Sequence, residues 1–138
     1  MKHWLKMPQI QNRYPSDSSK QILFGQSLGG QFALYSSMYG RAPFYAVIAS
    51  NPALHRNLAF FKQDLVKREG RPLAYISSAE FDDPRFRQPA LAWQDYWRDR
   101  APSWRRQFST VAGHNHLSAN PEVFRDGLKW VFSQPSPK

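Results

Sequence analysis

The sequence predicts an α/β fold, a parallel sheet with helices on both faces. Two observations carry that expectation. Short runs at 21–24, 44–49 and 73–77 are apolar nearly throughout, and with a fourth short run at 108–111 they alternate with longer stretches of helical periodicity. A strand that is apolar on both sides is one covered on both sides, and strands alternating with helices build parallel βαβ units.

The elements follow in order. Residues 2–13 read as a helix interrupted by Pro8 and ending near Tyr14-Pro15. The run 21–24 is a strand that leads straight into Gly25-Gln26-Ser27-Leu28-Gly29-Gly30. From Leu28 the period changes from two to 3.6, with Leu28, Phe32, Tyr35 and Tyr39 sharing one helical face and Gly40 closing the helix. The second strand, 44–49, is stopped by Asn51-Pro52. A helix is expected over 54–69, with Leu58, Phe61 and Leu65 on one side. The third strand, 73–77, is followed by the acidic loop Ala79-Glu80-Phe81-Asp82-Asp83-Pro84, and another helix covers about 88–100. After the fourth strand, 108–111, comes Gly113-His114-Asn115-His116. In the last helix Asn120 can cap, Pro121 suits the first position, and Val123, Phe124, Leu128 and Val131 make a buried stripe. One domain over 1–133 is expected, with 134–138 as a loose tail.

Composition narrows the function. A chain of 138 residues with 41% hydrophobic content, five Trp, six Tyr and ten Phe can build a core and is no disordered segment. It has no cysteine, which excludes disulfides, thiolate metal sites and cysteine nucleophiles. No apolar run approaches the roughly 18 residues of a membrane span, so a soluble chain with no membrane partner is expected. The start, Met1-Lys2-His3-Trp4, lacks the layout of a signal peptide, and localisation stays open. The net charge of +9 invites an anionic partner. Its best support is Arg98, Arg100, Arg105 and Arg106 among Trp93, Tyr96, Trp97 and Trp104, yet an amphipathic helix with buried rings and solvated charges accounts for that spacing. No nucleic-acid partner is expected.

Chemistry concentrates at three points. Gly25-Gln26-Ser27-Leu28-Gly29 fits a nucleophile elbow, a sharp strand-to-helix turn that exposes the serine hydroxyl at a helix N-terminus. There the Leu28 N–H can face a developing oxyanion. Side chains at 25 or 29 are expected to collide with the neighbouring strand or helix. A serine hydroxyl needs a base. Of His3, His55, His114 and His116, the last two follow the last strand, where the base of such a site belongs. The pair could also ligate a metal, but no third ligand is evident. A carboxylate should come between serine and histidine in the chain, and Glu80, Asp82 and Asp83 are the candidates.

These residues also carry a resemblance. The stretch from Ile22 to Tyr35, Ile-Leu-Phe-Gly-Gln-Ser-Leu-Gly-Gly-Gln-Phe-Ala-Leu-Tyr, resembles the nucleophile segment of the putative-esterase family of α/β-hydrolases, which includes esterase D-like and siderophore esterases. Leu5 to Pro15, Tyr45 to Pro52, and Gly113 to Ser118 with Gly127-Leu128 resemble the family's preceding helix, following strand and base loop. The resemblance implies a serine carboxyl-ester hydrolase working through an acyl-serine, with Ser27 as nucleophile and His116 as base. It puts the family's acid position on Glu80, where esterase D-like relatives have Asp, and an acidic or polar position at His114. A small-molecule ester is implied as substrate, with no cofactor and no metal. The chain resembles the C-terminal half of the family's domain, about four strands with the elbow strand first. Strands that flank the elbow strand, and the loop giving a second oxyanion donor, have no counterpart in it. A weakly active or inactive fragment serving as a binding or structural piece is therefore the alternative, and a homodimer through the open elbow-strand edge is expected.

Overall fold

The computed structural model describes residues 18–135. The helix expected over 2–13 and the end of the tail, 136–138, lie outside the described residues. Four parallel strands form one sheet in the order β1 (Ile22–Gln26), β2 (Ala46–Ser50), β3 (Leu73–Ala79) and β4 (Arg106–Val111). Helix α1 (Leu28–Met38) joins β1 to β2, α2 (Pro84–Trp97) joins β3 to β4, and α3 (Asn120–Ser133) follows β4.

Both faces of the sheet are covered, which is why its central strands read as unbroken apolar runs. Val47 and Ala49 of β2, with Ala74 and Ile76 of β3, face Ala33, Leu34 and Met38 of α1 and Trp93 and Trp97 of α2. Their neighbours Ile48, Tyr75 and Ala79 face Val123 of α3 on the other side, while Ala46 and Leu73 face Val131. Every residue of β2 and β3 is buried, whereas β1 and β4 at the edges are partly open. Among the described residues no helix is long and apolar enough to cross a membrane.

Three tryptophans belong to the core. Trp93, Trp97 and Trp104 are buried and meet edge to face. Trp93 and Trp97 both donate their indole N–H to the Phe61 carbonyl, at 2.9 and 2.8 Å, and Trp104 donates to Ser37 Oγ. Rings buried this way offer no platform for stacking bases. Arg106 sits beside Trp104 and satisfies carbonyls of Ala101, Trp104 and Arg100, and its burial lowers its pKa.

Three expectations are corrected. The stretch 54–69 is not a helix; it is irregular apart from a single 3-10 turn at Phe60–Lys62. Leu58, Phe61 and Leu65 do reach the core, but the local turns bonding Leu54 through Phe60 do not continue, and from Phe61 onward carbonyls are claimed by side chains. Phe61 accepts two indoles, Gln63 accepts the Tyr39 hydroxyl at 2.7 Å, and Val66 accepts Arg71. The stripe Leu28, Phe32 and Tyr35 of α1 is exposed, and the buried side is Gly30, Ala33, Leu34, Ser37 and Met38. Small residues there let the helix approach the sheet, so periodicity alone picked the wrong face. In α3, Asn120 is the first helical residue and not the cap, and Phe124 is exposed while Gly127 packs on Ile48.

The junction of β1 with α1 is the tightest point of the fold. A Cβ at Gly25 would lie 2.0 Å from the Gly29 carbonyl oxygen, and one at Gly30 only 3.0 Å from the Ser50 carbonyl oxygen. At Gly29 a Cβ would meet nothing within 4 Å, so the collision expected there does not exist. Gly25→Ala should therefore abolish cooperative thermal unfolding followed by circular dichroism. Gly29→Ala should leave it intact and gain up to about 1 kcal/mol from helix propensity. Equal losses from the two substitutions would refute this account of the junction.

Candidate active site

Parallel strands in register bring their C-terminal ends to one edge of the sheet, where a chain covered on both faces can place polar groups. Ser27 follows β1, Asn51 follows β2, Glu80 and Asp82 follow β3, and the loop with His114 and His116 follows β4.

Ser27 turns the chain from strand to helix in a backbone conformation that L-residues avoid, with φ 58° and ψ −112°. Such a conformation costs on the order of 1–3 kcal/mol and persists only when its surroundings fix it. Here they do: the Ser27 N–H donates to the Ser50 carbonyl at 2.9 Å, and its own carbonyl accepts from Gln31 and Ala53, each at 3.0 Å. Its hydroxyl does not cap α1. Leu28 is the first residue of α1, so its N–H is one of the four that a helix leaves without an internal partner.

His116 sits in a loop shaped by Asn115, whose Oδ1 accepts from the N–H groups of Leu117 and Ser118. Its main-chain carbonyl accepts from Asn51 Nδ2 at 3.2 Å and from Gln26 Nε2 at 3.5 Å, which anchors the loop beside the residue preceding Ser27. Its ring lies 5.1 Å from that of Phe86, and its Nδ1 is 2.8 Å from Asp82 Oδ1. The Asp82 side chain is 2% exposed, and the same oxygen accepts from the Asp83 N–H at 2.8 Å. Phe86 also meets His55, with ring centroids 5.1 Å apart.

The carboxylate at His116 is therefore Asp82 and not Glu80. Glu80 is exposed, and its Oε1 accepts from the Gly113 N–H at 2.9 Å. It braces the start of the histidine loop, where Gly113 has φ 76°. Asp83 caps α2 by accepting from the Arg85 N–H. The choice among the three acids turns on how the chain folds after Ala79, and a sequence pattern does not encode that path. His114 points elsewhere: its ring contacts Ser118 Oγ at 3.1 Å and Glu122 at 3.2 Å. With the two histidines on different partners, the His-x-His pair does not form one ligand set. Gln26, Asn51 and Phe86 were not singled out from sequence, though the Asn51-Pro52 strand stop marked the place of one of them.

A cavity of about 380 Å³ opens beside the elbow, bounded by Leu28, Phe32, Tyr35 and Phe60. A larger one of about 840 Å³ lies at the opposite end of the sheet and holds none of this chemistry. Its Arg68 and Arg71 are occupied by carbonyls at the end of α1 and just beyond it.

Comparison with known proteins agrees with the fold. The ferri-bacillibactin esterase BesA of Bacillus subtilis is 28% identical over 141 residues, which cover 94% of this chain and 49% of that protein. Among solved structures, the BES protein from Bacillus cereus superposes with a TM-score of 0.69 at 21% identity, covering 91% of this chain and 50% of its own. Siderophore hydrolase EstB from Aspergillus nidulans gives 0.69 at 22% identity, with 95% and 56% covered. The chain thus spans about half the length of the relatives it matches. The model of the family described as "Putative esterase" matches residues 6–123, and the chain belongs to that esterase family, on an α/β-hydrolase fold.

Proposed function

We propose that this chain carries the site of a serine carboxyl-ester hydrolase, with Ser27 as nucleophile, His116 as base and Asp82 as the acid that orients it. The observation that carries the reading is the Asp82–His116 contact at 2.8 Å, in a loop whose main chain is tied to Gln26 beside Ser27. With Nδ1–H donated to Asp82, the free lone pair of the imidazole is on Nε2, the atom that can take a proton. Ser27 Oγ attacks the ester carbonyl as its proton passes to Nε2, and the Leu28 N–H stabilises the oxyanion. The proton then goes to the departing alcohol, leaving an acyl-serine. Water, deprotonated by the same nitrogen, attacks the acyl-serine, and the serine takes the proton back as the acid leaves. A buried carboxylate beside the ring stabilises the imidazolium formed in each half. The names of the relatives, a ferri-bacillibactin esterase and a siderophore hydrolase, support a siderophore ester as the first natural substrate to assay.

One observation favours a second reading, a fragment that works only when covered. β1 has a strand partner on one side alone among the described residues, and Leu28, Phe32 and Phe60 are exposed close to it in the chain or in space. An open strand edge is a template for association, and a site with a single oxyanion donor loses about 10²–10³ in rate. In that reading a second copy of the chain covers the β1 edge and turnover is weak.

Three outcomes are expected. Ser27→Ala should abolish fluorophosphonate labelling and hydrolysis of a short aryl ester while circular dichroism stays unchanged; persistent labelling would refute the nucleophile. His116→Ala should cost at least about a thousandfold and Asp82→Asn about 10²–10⁴-fold, measured as the rate of labelling or turnover. His114→Ala and Glu80→Gln should cost far less, since His114 faces Glu122 and the Gln keeps an oxygen for Gly113; a reversed ranking would overturn the assignment. Size-exclusion chromatography with light scattering should show a dimer or larger species, and a stable monomer with ordinary esterase turnover would dismiss the second reading.

A further inference from the structure

Asn51 stands where β2 ends, buried to 2% exposure and in the left-handed region at φ 46°. Asparagine is among the few residues with a side chain that tolerate that conformation. Its own N–H donates to the Ser77 carbonyl at 2.8 Å, carrying the β2–β3 ladder one residue past the strand. Its carboxamide makes two further bonds. Oδ1 accepts from the Ala79 N–H at 2.7 Å, and Nδ2 donates to the His116 carbonyl at 3.2 Å. The orientation is unambiguous, because a main-chain N–H can only donate and a carbonyl can only accept.

Those two partners belong to different loops. Ala79 is the last residue of β3 and opens the loop that bears Asp82, while His116 belongs to the loop after β4. The Asx turn around Asn115 sets the shape of the histidine loop but ties it to nothing beyond itself. Gln26 adds a second, longer contact to the same His116 carbonyl. The acid loop also holds the start of the base loop, where the Phe81 N–H donates to the His114 carbonyl and the Gly113 N–H to Glu80, both at 2.9 Å. We propose that Asn51 is a positioning residue: its carboxamide ties the base loop at His116 itself to the start of the acid loop, and so sets where the His116 ring stands relative to Asp82 and Ser27. The proposal rests on the hydrolase reading above and deepens it. Asn51 touches neither substrate nor a reacting atom, and it acts through the main chain of His116.

Two substitutions separate this role from simple filling of space. Asn51→Gly keeps the left-handed backbone and removes both side-chain bonds. Asn51→Asp keeps the oxygen for Ala79 and sets a second oxygen against the His116 carbonyl. In each variant that retains its near-ultraviolet circular dichroism, fluorophosphonate labelling of Ser27 should slow by about 10²-fold, the scale of a misplacement near 1 Å. The NMR signal of the His116 Nδ1 proton bonded to Asp82 should broaden or vanish, while Ser27→Ala should leave that signal in place. On the unaltered chain, scalar coupling across the hydrogen bond from Asn51 Nδ2 to the His116 carbonyl should be seen, whether or not either variant folds. Folded variants with unchanged labelling and an unchanged His116 signal would overturn the proposal, as would absence of that coupling. A chain that never labels, and in which Ser27→Ala changes nothing, would count against the hydrolase reading. The His116 signal and the coupling would still decide the role of Asn51.

Discussion

A parallel sheet buried on both faces leaves its central strands no exposed surface. Every residue of β2 and β3 is covered, by α1 and α2 on one face and by α3 on the other. Leaving a polar side chain unpaired there costs on the order of 1–3 kcal/mol. Serines of β2 and β3, Ser50, Ser77 and Ser78, accordingly lie toward the C-terminal ends, and the shared register of the strands gathers those ends along one edge. The loops that bear Ser27, Asn51, Asp82 and His116 leave the sheet along that edge.

Strain concentrates at the same edge. Ser27 and Asn51 are both held at positive φ immediately after adjacent strands, and their main chains bond to the neighbouring strand, Ser27 to Ser50 and Asn51 to Ser77. The sheet fixes two unfavourable conformations through hydrogen bonds it would otherwise leave open at its end. The approach of α1 to β1 depends on Gly25 in the same way, since a methyl group there would overlap the Gly29 carbonyl. Rigidity at this edge comes from the ladder and from glycine, and the core beneath contributes mainly its closeness of packing.

How much of this could be read from the sequence follows from what each signal measures. The central strands were legible because double-sided burial writes itself as nearly uninterrupted apolar residues. The elbow was legible because Gly25 and Ser27 answer local geometry, whereas position after the last strand offered His114 and His116 alike and only the resemblance of the loop chose His116. The stretch 54–69 misled because its apolar spacing is genuine while the carbonyls of Phe61 and Gln63 accept from Trp93, Trp97 and Tyr39, which lie far away in the chain, and Val66 accepts from Arg71 just beyond the stretch. The outward stripe of α1 misled because large residues are expected inside, whereas here Gly30 and Ala33 win by allowing close approach. Asp82 and Glu80 are two residues apart, and only the turn after Ala79 decides which one goes inward.

The strand order has a consequence for how the chain assembles. Each strand is bonded to the one before it and the one after it in sequence, with no strand inserted between neighbours. A chain emerging from the ribosome can add each strand to an edge already formed, and pairing need not wait for a distant partner. β1, which leads into Ser27, is synthesised before β4 and the loop that bears His116. A partly synthesised chain thus presents a serine with no base beside it. On the hydrolase reading proposed above, Ser27 gains its base only once the loop after β4 has docked on the strands made before it.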